Sequence, residues 1–396
     1  MSSGHACLNC GKEAMSIFYE RRDAPVHSCV LMPTQQQALK FPRGTIDLSF
    51  CEECGFISNV AFDPLALDYS APYEDMQCFS STFNVFAQNL AKRLIEKHNL
   101  RNKDILDIGC GQGDFLMLIC ELGQNRGVGI DPAYVKGRIR SKASARVKFI
   151  KDYYSERYAN YHRDLVCCRH TLEHIHNTKE FVNSVRSAIG NSLSTIVFFE
   201  LPDVTRILHE LAFWDIYYEH CSYFTPGSLA RLFRSCKFEV TDLYRDFDDQ
   251  YIMIEARPVS QASDKLPELE ESVEETAKQV KYFSARCPEK LDHWKNRLQQ
   301  IHADERRAVV WGSSSKCVSF MTTLGVKDEI EYVVDINPYL HGKFLPGVGK
   351  KIVPPEFLKK YKPDVTIVMN PIYHDEIRQM LDDMEVNTEV ISISVQ

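Results

Sequence analysis

The chain has 396 residues, of which 44% are hydrophobic and 26% are charged, and its formal net charge is −7. The negative charge disfavours nonspecific binding to nucleic acid. No apolar run approaches the roughly 20 residues of a membrane span, and the N-terminus lacks the pattern of a secretory signal. The 14 cysteines are mostly scattered, as in proteins of a reducing compartment. We therefore expect a soluble cytoplasmic protein of two or three domains, without a nucleic-acid or membrane partner.

The first predicted element is a metal-binding module with two Cys-x-x-Cys-Gly knuckles. Their cysteines are Cys7, Cys10, Cys51 and Cys54. The two-residue spacer lets both thiolates of a knuckle face one tetrahedral ion, and four sulfur ligands leave no open position for catalysis. This spacing predicts one structural zinc ion (Zn²⁺), with residues 25–50 as a hairpin-like insertion. Free thiols or a single redox pair are the alternatives, and His5 and His27 are possible substitute ligands.

Hydrophobic periodicity next predicts a helix over residues 83–98, followed by alternating strands and helices. The predicted strands are 105–108, 126–130, 147–150, 164–168, 195–200 and 250–255. This order is typical of a doubly wound α/β sheet.

The first of these strands leads into a Gly-x-Gly-x-Gly turn, which precedes a helical pattern. The glycines are Gly109, Gly111 and Gly113. Alternate glycines let the backbone approach a ligand closely, and Asp131, at the end of the next strand, can hold ribose hydroxyls. Asp107 precedes the glycines, which distinguishes the turn from the dinucleotide-binding fingerprint. The pattern indicates a class I methyltransferase fold with a Rossmann-like sheet that binds S-adenosylmethionine.

Two loops at the same sheet edge supply further candidates. Asp152 is suited to meet the adenine amino group, with a solvent-facing loop residue as the alternative. His170 and His176 are expected to face the cleft, whereas Glu173 and His174 fit packing or capping roles in a short helix.

Beyond this unit the sequence changes character twice. Residues 260–304 are charged and predict two linker helices, broken near Pro288. A smaller Rossmann-like α/β unit follows, with predicted strands at 308–311, 331–337 and 364–370. Its turn at 312–316 lacks a dinucleotide fingerprint, so we expect it to wall the cleft, or to contact a phosphorylated part of the substrate together with residues 337–344.

The predicted organisation is therefore a zinc-binding N-terminal module, a methyltransferase domain, a helical linker and a C-terminal Rossmann-like domain. Their boundaries are 1–80, 81–259, 260–304 and 305–396.

The segment 214–224 carries an acid, a base and several phenols within eleven residues. A histidine beside a glutamate and tyrosines can be held in one tautomer and poised near neutral pH, which favours His220 as a general base. The alternative is an aromatic lid in which His220 only satisfies a local carbonyl.

The order of these motifs resembles one known family: the zinc-containing sugar C-methyltransferases that act on nucleotide-linked 4-keto-deoxysugars. Its most specific parts are Glu-His-x-x-Tyr-Phe at 219–224 and the block at 334–347. The resemblance implies that His220 removes a proton from carbon, and that a nucleotide-linked sugar is the substrate. The supporting residues that it implies are Glu219, Tyr217, His176 and Tyr73, with Tyr69 as the alternative to Tyr73.

Two other functions fit the same residues. An O-methyltransferase could apply the same base to a hydroxyl group, and a methyltransferase-like scaffold could bind S-adenosylmethionine without turnover. The sequence indicates neither the sugar, nor the methylated carbon, nor the oligomeric state.

Overall fold

The structure, a computed structural model, describes residues 4–67, 73, 74, 76–261 and 266–394. Its N-terminal part is a small antiparallel sheet in the order β1-β2-β3-β9. Its elements are β1 (Met15–Pro25), α1 (Gln35–Leu39), β2 (Arg43–Cys51), β3 (Ile57–Asn59) and β9 (Ser222–Tyr223). β1 and β2 form an antiparallel hairpin over residues 15–51, so the predicted insertion 25–50 supplies only its connection and its second strand. Because β9 comes from a distant segment, this sheet holds the residues just before it, including His220.

A central seven-stranded sheet follows in the order β10-β11-β8-β7-β4-β5-β6. β11 is the one strand of this sheet that runs antiparallel to the other six. The strands are β4 (Asp104–Ile108), β5 (Arg126–Ile130), β6 (Val147–Ile150), β7 (Leu165–Arg169), β8 (Ile196–Pro202), β10 (Phe238–Asp246) and β11 (Tyr251–Pro258). The helices are α2 (Ser81–His98), α3 (Asp114–Gly123), α4 (Thr178–Ile189), α5 (Val204–Glu210) and α6 (Pro226–Ser235). This is the predicted doubly wound sheet, with β10 as a strand that the sequence analysis missed.

One long helix, α7 (Val273–Ala303), connects the two larger sheets. The prediction of two helices broken near Pro288 was wrong, because Pro288 lies inside the continuous helix. A proline within a helix costs about 3 kcal/mol. Phe283 and Trp294, on either side of it, are buried in one hydrophobic cluster, and their packing offsets that cost.

The C-terminal sheet is entirely parallel, in the order β14-β13-β12-β15-β16. Its strands are β12 (Ala308–Trp311), β13 (Ile330–Val334), β14 (Lys351–Val353), β15 (Val365–Val368) and β16 (Glu389–Ser392). Its helices are α8 (Ser315–Leu324), α9 (Leu358–Tyr361) and α10 (His374–Asp383). The arrangement confirms a second, smaller Rossmann-like unit.

Open α/β sheets bind ligands beyond the carboxyl ends of their strands, where the strand order reverses. That point lies between β4 and β7 in the central sheet and between β12 and β15 in the C-terminal sheet. Residues that follow β7 and residues that follow β12 line one common cavity, so the two ligand-binding edges face each other. Within the described ranges, no helix is long and apolar enough to cross a membrane.

Candidate active site

The turn between β4 and α3 borders the first of two cavities. Gly109 has a φ of 68° and Gly113 a φ of 90°, a region that favours glycine. A Cβ at Gly109 would lie 2.0 Å from Thr171 Oγ1, and one at Gly113 would lie 2.4 Å from the Phe149 ring. Above Gly111 the space is open. The turn therefore requires glycine, and it leaves room for a ligand against its backbone.

Two carboxylates lie beside this turn: Asp131, which is half-buried, and Asp107, which is buried. Asp131 accepts hydrogen bonds from the N–H groups of Gly111 and Ala133, at 2.9 and 2.7 Å, and burial raises its pKa. Asp107 is 3% exposed, and its Oδ1 has no hydrogen-bond partner among the described residues. Burial raises the pKa of Asp107 to about 7, against the opposing charge of Arg169. An unsatisfied buried oxygen at a cavity wall suits a ligand that donates a hydrogen bond.

The turn and both carboxylates line a cavity of about 280 Å³. Other residues that line it are Gln112, Tyr153, Tyr154, His170, Thr171 and Phe181. Asp152 is not among them, because its carboxylate accepts hydrogen bonds from the Tyr158 hydroxyl and from Arg157 Nη2, the latter at 3.3 Å. Of the predicted cofactor residues, Asp107, Gly109, Gly111, Asp131 and His170 line this cavity, whereas Gly113 and Asp152 do not.

A second cavity, of about 300 Å³, lies between the central and C-terminal sheets. Its walls include Cys29, Arg206, Tyr217, His220, Gly312, Lys316 and Asn337. Five residues line both cavities: Tyr73, Met76, Gln77, His170 and His174. Ligands in the two cavities would therefore meet at these five residues.

His220 is 6% exposed and lies at the wall of the second cavity. Its ring centroid is 4.2 Å from that of Tyr217 and 4.7 Å from that of His174. Burial lowers the pKa of His220 well below its usual value, and the positive charges of His174, His170 and Lys316 add to the effect. The imidazole is therefore neutral at neutral pH and free to accept a proton.

The Glu219 carboxylate is directed away from both cavities. It accepts hydrogen bonds from Ser28 N–H at 3.2 Å, from His27 Nδ1 at 3.3 Å and from Ser315 Oγ at 3.3 Å. Burial opposes its charge, but His27 and His174 outweigh burial and lower the pKa of Glu219. Glu219 thus ties the N-terminal module and helix α8 to the segment that carries His220, and it leaves His27 directed at this carboxylate.

Of the other residues implied by the family resemblance, Tyr73 and Tyr217 line the second cavity, whereas His176 lines neither cavity. The His176 ring packs on Phe62, with centroids 5.4 Å apart, and burial lowers its pKa. Tyr69 lies outside the described residues. Tyr73, Tyr217 and His220 are therefore the members of the predicted set that the structure brings together.

Two buried charge groups at the site were missed from the sequence. In the first, Arg169 Nη2 and His170 Nε2 lie 2.8 and 2.7 Å from Glu200 Oε1. In the second, Asp215 forms ion pairs with Lys316 and with Arg206 Nη2, the latter at 2.6 Å. The sequence did carry a signal for the first group, because Arg169 and Glu200 are charged residues at the ends of otherwise apolar strands. In the sheet these two residues lie opposite each other on β7 and β8.

The four knuckle cysteines converge in the N-terminal module. Cys7 Sγ lies 3.6 Å from Cys54 Sγ, and Cys10 Sγ lies 3.6 Å from Cys51 Sγ. All four sulfur atoms lie within 4.8 Å of one another. Tetrahedral coordination with bonds of about 2.3 Å requires sulfur atoms about 3.8 Å apart. The cluster therefore has the dimensions to hold one metal ion.

Comparisons with known families decide the class of enzyme. Residues 79–243 match the methyltransferase domain family, and residues 251–392 match the C-methyltransferase C-terminal domain family. The C-methyltransferase NovU of Streptomyces niveus is 26% identical over 305 residues, which cover 73% of this chain and 72% of NovU. The chain is an S-adenosylmethionine-dependent methyltransferase, and its two matched regions are those of a methyltransferase domain and a C-methyltransferase C-terminal domain. This result argues against the alternative that the protein is a scaffold that binds the cofactor without turnover.

Two solved methyltransferase structures are similar to part of this chain. Magnesium protoporphyrin IX methyltransferase from Synechocystis, with bound S-adenosylhomocysteine, is 13% identical with a TM-score of 0.35, covering 45% of this chain and 84% of that one. The 1,6-didemethyltoxoflavin-N1-methyltransferase of Burkholderia thailandensis is 15% identical with a TM-score of 0.33, covering 52% of this chain and 97% of that one.

Proposed function

We propose that this methyltransferase transfers a methyl group to the carbon beside a ketone in a nucleotide-linked deoxysugar, with His220 as the base. The observation that carries the proposal is the position of His220 and Tyr217 on a cavity that meets the glycine-turn cavity at Tyr73. The identity of the substrate class rests on the family resemblance of the segments 219–224 and 334–347.

In this proposal the first cavity holds S-adenosylmethionine, which supplies the methyl group as an electrophilic sulfonium. The glycine turn contacts the cofactor through its backbone, and Asp131 accepts hydrogen bonds from both ribose hydroxyls. The Asp107 oxygen without a hydrogen-bond partner among the described residues, and His170, which lines both cavities, complete the proposed cofactor-binding residues. The position of Asp152 against Tyr158 and Arg157 argues that its contact with adenine is indirect.

Asp131→Ala should weaken S-adenosylmethionine binding by at least tenfold. Each lost hydrogen bond to a charged acceptor costs ~1.5–3 kcal/mol. Isothermal titration calorimetry measures the dissociation constant directly. The exposed Asp328→Ala in the C-terminal unit is the matched control, and unaltered affinity in Asp131→Ala would refute this assignment.

The carbon-methylation step needs a base and a stabilised enolate, because a hydrogen beside a ketone is only weakly acidic. Neutral His220 accepts the proton, and Tyr217 and Tyr73, which line the same cavity, are assigned to the developing enolate oxygen as hydrogen-bond donors. Methyl transfer then depends on the alignment of the two ligands, which the shared wall of the cavities provides.

The C-terminal unit is proposed to bind the phosphorylated part of the substrate. Residues 312–316 and Asn337 line the second cavity, and 312–316 includes the N-terminus of α8, whose free N–H groups favour anions. Lys316 and Arg206 also line this wall, but both pair with Asp215, and Arg206 pairs with Glu210 as well. The N-terminus of α8 is therefore the part of the wall assigned to the phosphate.

A panel of nucleotide 4-ketosugars tests the proposed reaction. Incubation in deuterated water with S-adenosylmethionine should incorporate deuterium beside the ketone and yield a product methylated at that carbon. Methylation of a hydroxyl group without exchange would instead identify an O-methyltransferase. Neither exchange nor methylation with any nucleotide ketosugar would overturn the proposed substrate class.

We also propose that the four-cysteine cluster holds a structural zinc ion. Cys51→Ser should release the metal and lower the melting temperature of the N-terminal module, because structural zinc sites contribute directly to folding. Metal content by mass spectrometry and thermal unfolding measure the two effects. Cys236→Ser removes a buried cysteine outside the cluster and should retain the metal. Stoichiometric zinc in Cys51→Ser would contradict the assignment.

A further inference from the structure

Glu173 is a buried carboxylate at the active site to which the family resemblance gives no role. It lies in a single 3-10 turn, Leu172–His174, just after β7, and is 2% exposed. Neither carboxylate oxygen has a hydrogen-bond partner among the described residues. Its one ion-pair contact there is with His170 Nδ1, at 3.5 Å. A buried carboxylate without hydrogen bonds is costly, which points to a functional reason for its position.

The side chain of Glu173 lines the second cavity, beside two histidines. One carboxylate oxygen of Glu173 and one ring nitrogen each of His174 and His220 all lie within 4.8 Å of one another. His174 Nδ1 lies 2.9 Å from the Glu219 carbonyl oxygen, which can only accept, so this nitrogen donates. The Glu173 carboxylate therefore lies within 4.8 Å of a ring nitrogen of the proposed base, whereas the Glu219 carboxylate is hydrogen-bonded to Ser28, His27 and Ser315.

We propose that Glu173 is the positioning residue for His220: its carboxylate acts as the counter-ion of the imidazolium that forms when His220 takes the substrate proton. This inference rests on the proposed function and names a residue that the family resemblance does not.

Proton transfer creates the need for this counter-ion. The carbon–hydrogen bond of the substrate breaks, its electron pair becomes the enolate, and the proton forms a new bond to a ring nitrogen of His220. Three neighbours carry or can acquire positive charge and oppose this step: His174, His170 and Lys316. In this proposal the Glu173 carboxylate offsets them, and His220 returns the proton to water after methyl transfer.

Several titratable groups face Glu173 and His220, and their titrations must be distinguished from that of His220 in any pH experiment. They are His170 and His174 from the loop after β7, Tyr217 from the same segment as His220, Tyr223 from β9, Cys221, and Lys316 from α8. Burial opposes charge on His170, but Glu173 and Glu200 outweigh it and raise its pKa to about 9. His170 therefore titrates on the alkaline side. Asp107 at the adjoining cavity, whose pKa burial raises to about 7, also titrates in the profile, so the limb assigned to His220 is the one that moves in Glu173→Gln.

The first test compares Glu173→Gln with wild type in kcat/KM against pH and in deuterium exchange at the substrate carbon. Loss of an opposite charge within ~4–6 Å lowers the pKa of a histidine by about one unit or more, so the acidic limb should move to lower pH. Turnover at neutral pH should fall by about tenfold or more, with affinity for S-adenosylmethionine unchanged. Glu173→Asp, which keeps the charge, should restore the limb toward its wild-type position.

Glu255→Gln is the matched control, since Glu255 is fully buried and paired with His98 but lines neither cavity. This variant should have a lower free energy of unfolding, whereas its turnover and the acidic limb of its pH profile should be those of wild type. An unmoved limb in Glu173→Gln, or an equal loss of turnover in Glu173→Asp, would overturn the counter-ion role and leave the methyltransferase reaction intact.

A second measurement judges Glu173 without any substrate. In protein labelled with ¹³C-histidine, the His220 signal, assigned by its loss in His220→Asn, is followed in a pH titration by NMR. Its midpoint should lie below 6.5 in wild type and at least about one unit lower in Glu173→Gln, or below the range in which that variant stays folded. Equal midpoints, or no titration of His220 in folded wild type, would overturn the inference even if no ketosugar were methylated.

Discussion

His220→Asn is expected to lower turnover by ~10²–10⁴, the usual contribution of a positioned general base. Asparagine keeps much of the size and hydrogen bonding of histidine but has no basic nitrogen. Because His220 lines the second cavity and is absent from the glycine-turn cavity, affinity for S-adenosylmethionine should be unchanged. Calorimetry, turnover and deuterium exchange beside the ketone together measure these effects, and exchange should disappear along with methylation.

The exposed His302→Asn, near the end of α7, is the matched control and should retain full turnover. Exchange at the wild-type rate in His220→Asn would make His220 a binding residue and Tyr217 the better candidate for the base. If turnover itself were unaffected, the segment would be an aromatic lid, the alternative that the sequence left open.

The local sequence could predict those parts of the site whose backbone geometry depends on the residue types at the same positions. The glycine turn is one, because positive φ values and close contacts with Thr171 and Phe149 exclude any other residue there. The strands that frame it are another: 126–130 and 147–150 begin and end as predicted, since short apolar runs between polar turns have little freedom.

The direction of the Glu219 carboxylate could not be read in this way. Its neighbour in sequence is His220, but its hydrogen-bond partners come from Ser28 and Ser315, 191 and 96 residues away. Such contacts depend on how the three units pack. The same packing places Glu173, predicted as a packing or capping residue, beside His220.

The largest expected effect on stability is that of Glu200→Gln. Glu200 is 1% exposed and lies between Arg169 and His170, with contacts of 2.8 and 2.7 Å. Removing one partner of a buried ion pair typically costs 3–5 kcal/mol, because the remaining charge stays buried without compensation. Urea unfolding at pH 7 measures the loss, and the exposed pair of Arg257 with Glu239 gives the control, since Glu239→Gln should cost no more than ~1 kcal/mol.

The pH dependence of this loss identifies its source. Burial alone would raise the pKa of Glu200, but Arg169 and His170 outweigh it and lower the value to about 2 from 4.5. The stabilisation is therefore complete above pH ~4.5 and lost as the pH falls towards 2. The pKa of His170 is raised to about 9 from 6.5, so its share is complete below pH ~6.5 and lost as the pH rises through 9. The free-energy difference between wild type and Glu200→Gln should consequently be largest between pH 4.5 and 6.5 and shrink on both sides, and a difference independent of pH would show that the loss arises from packing instead of charge.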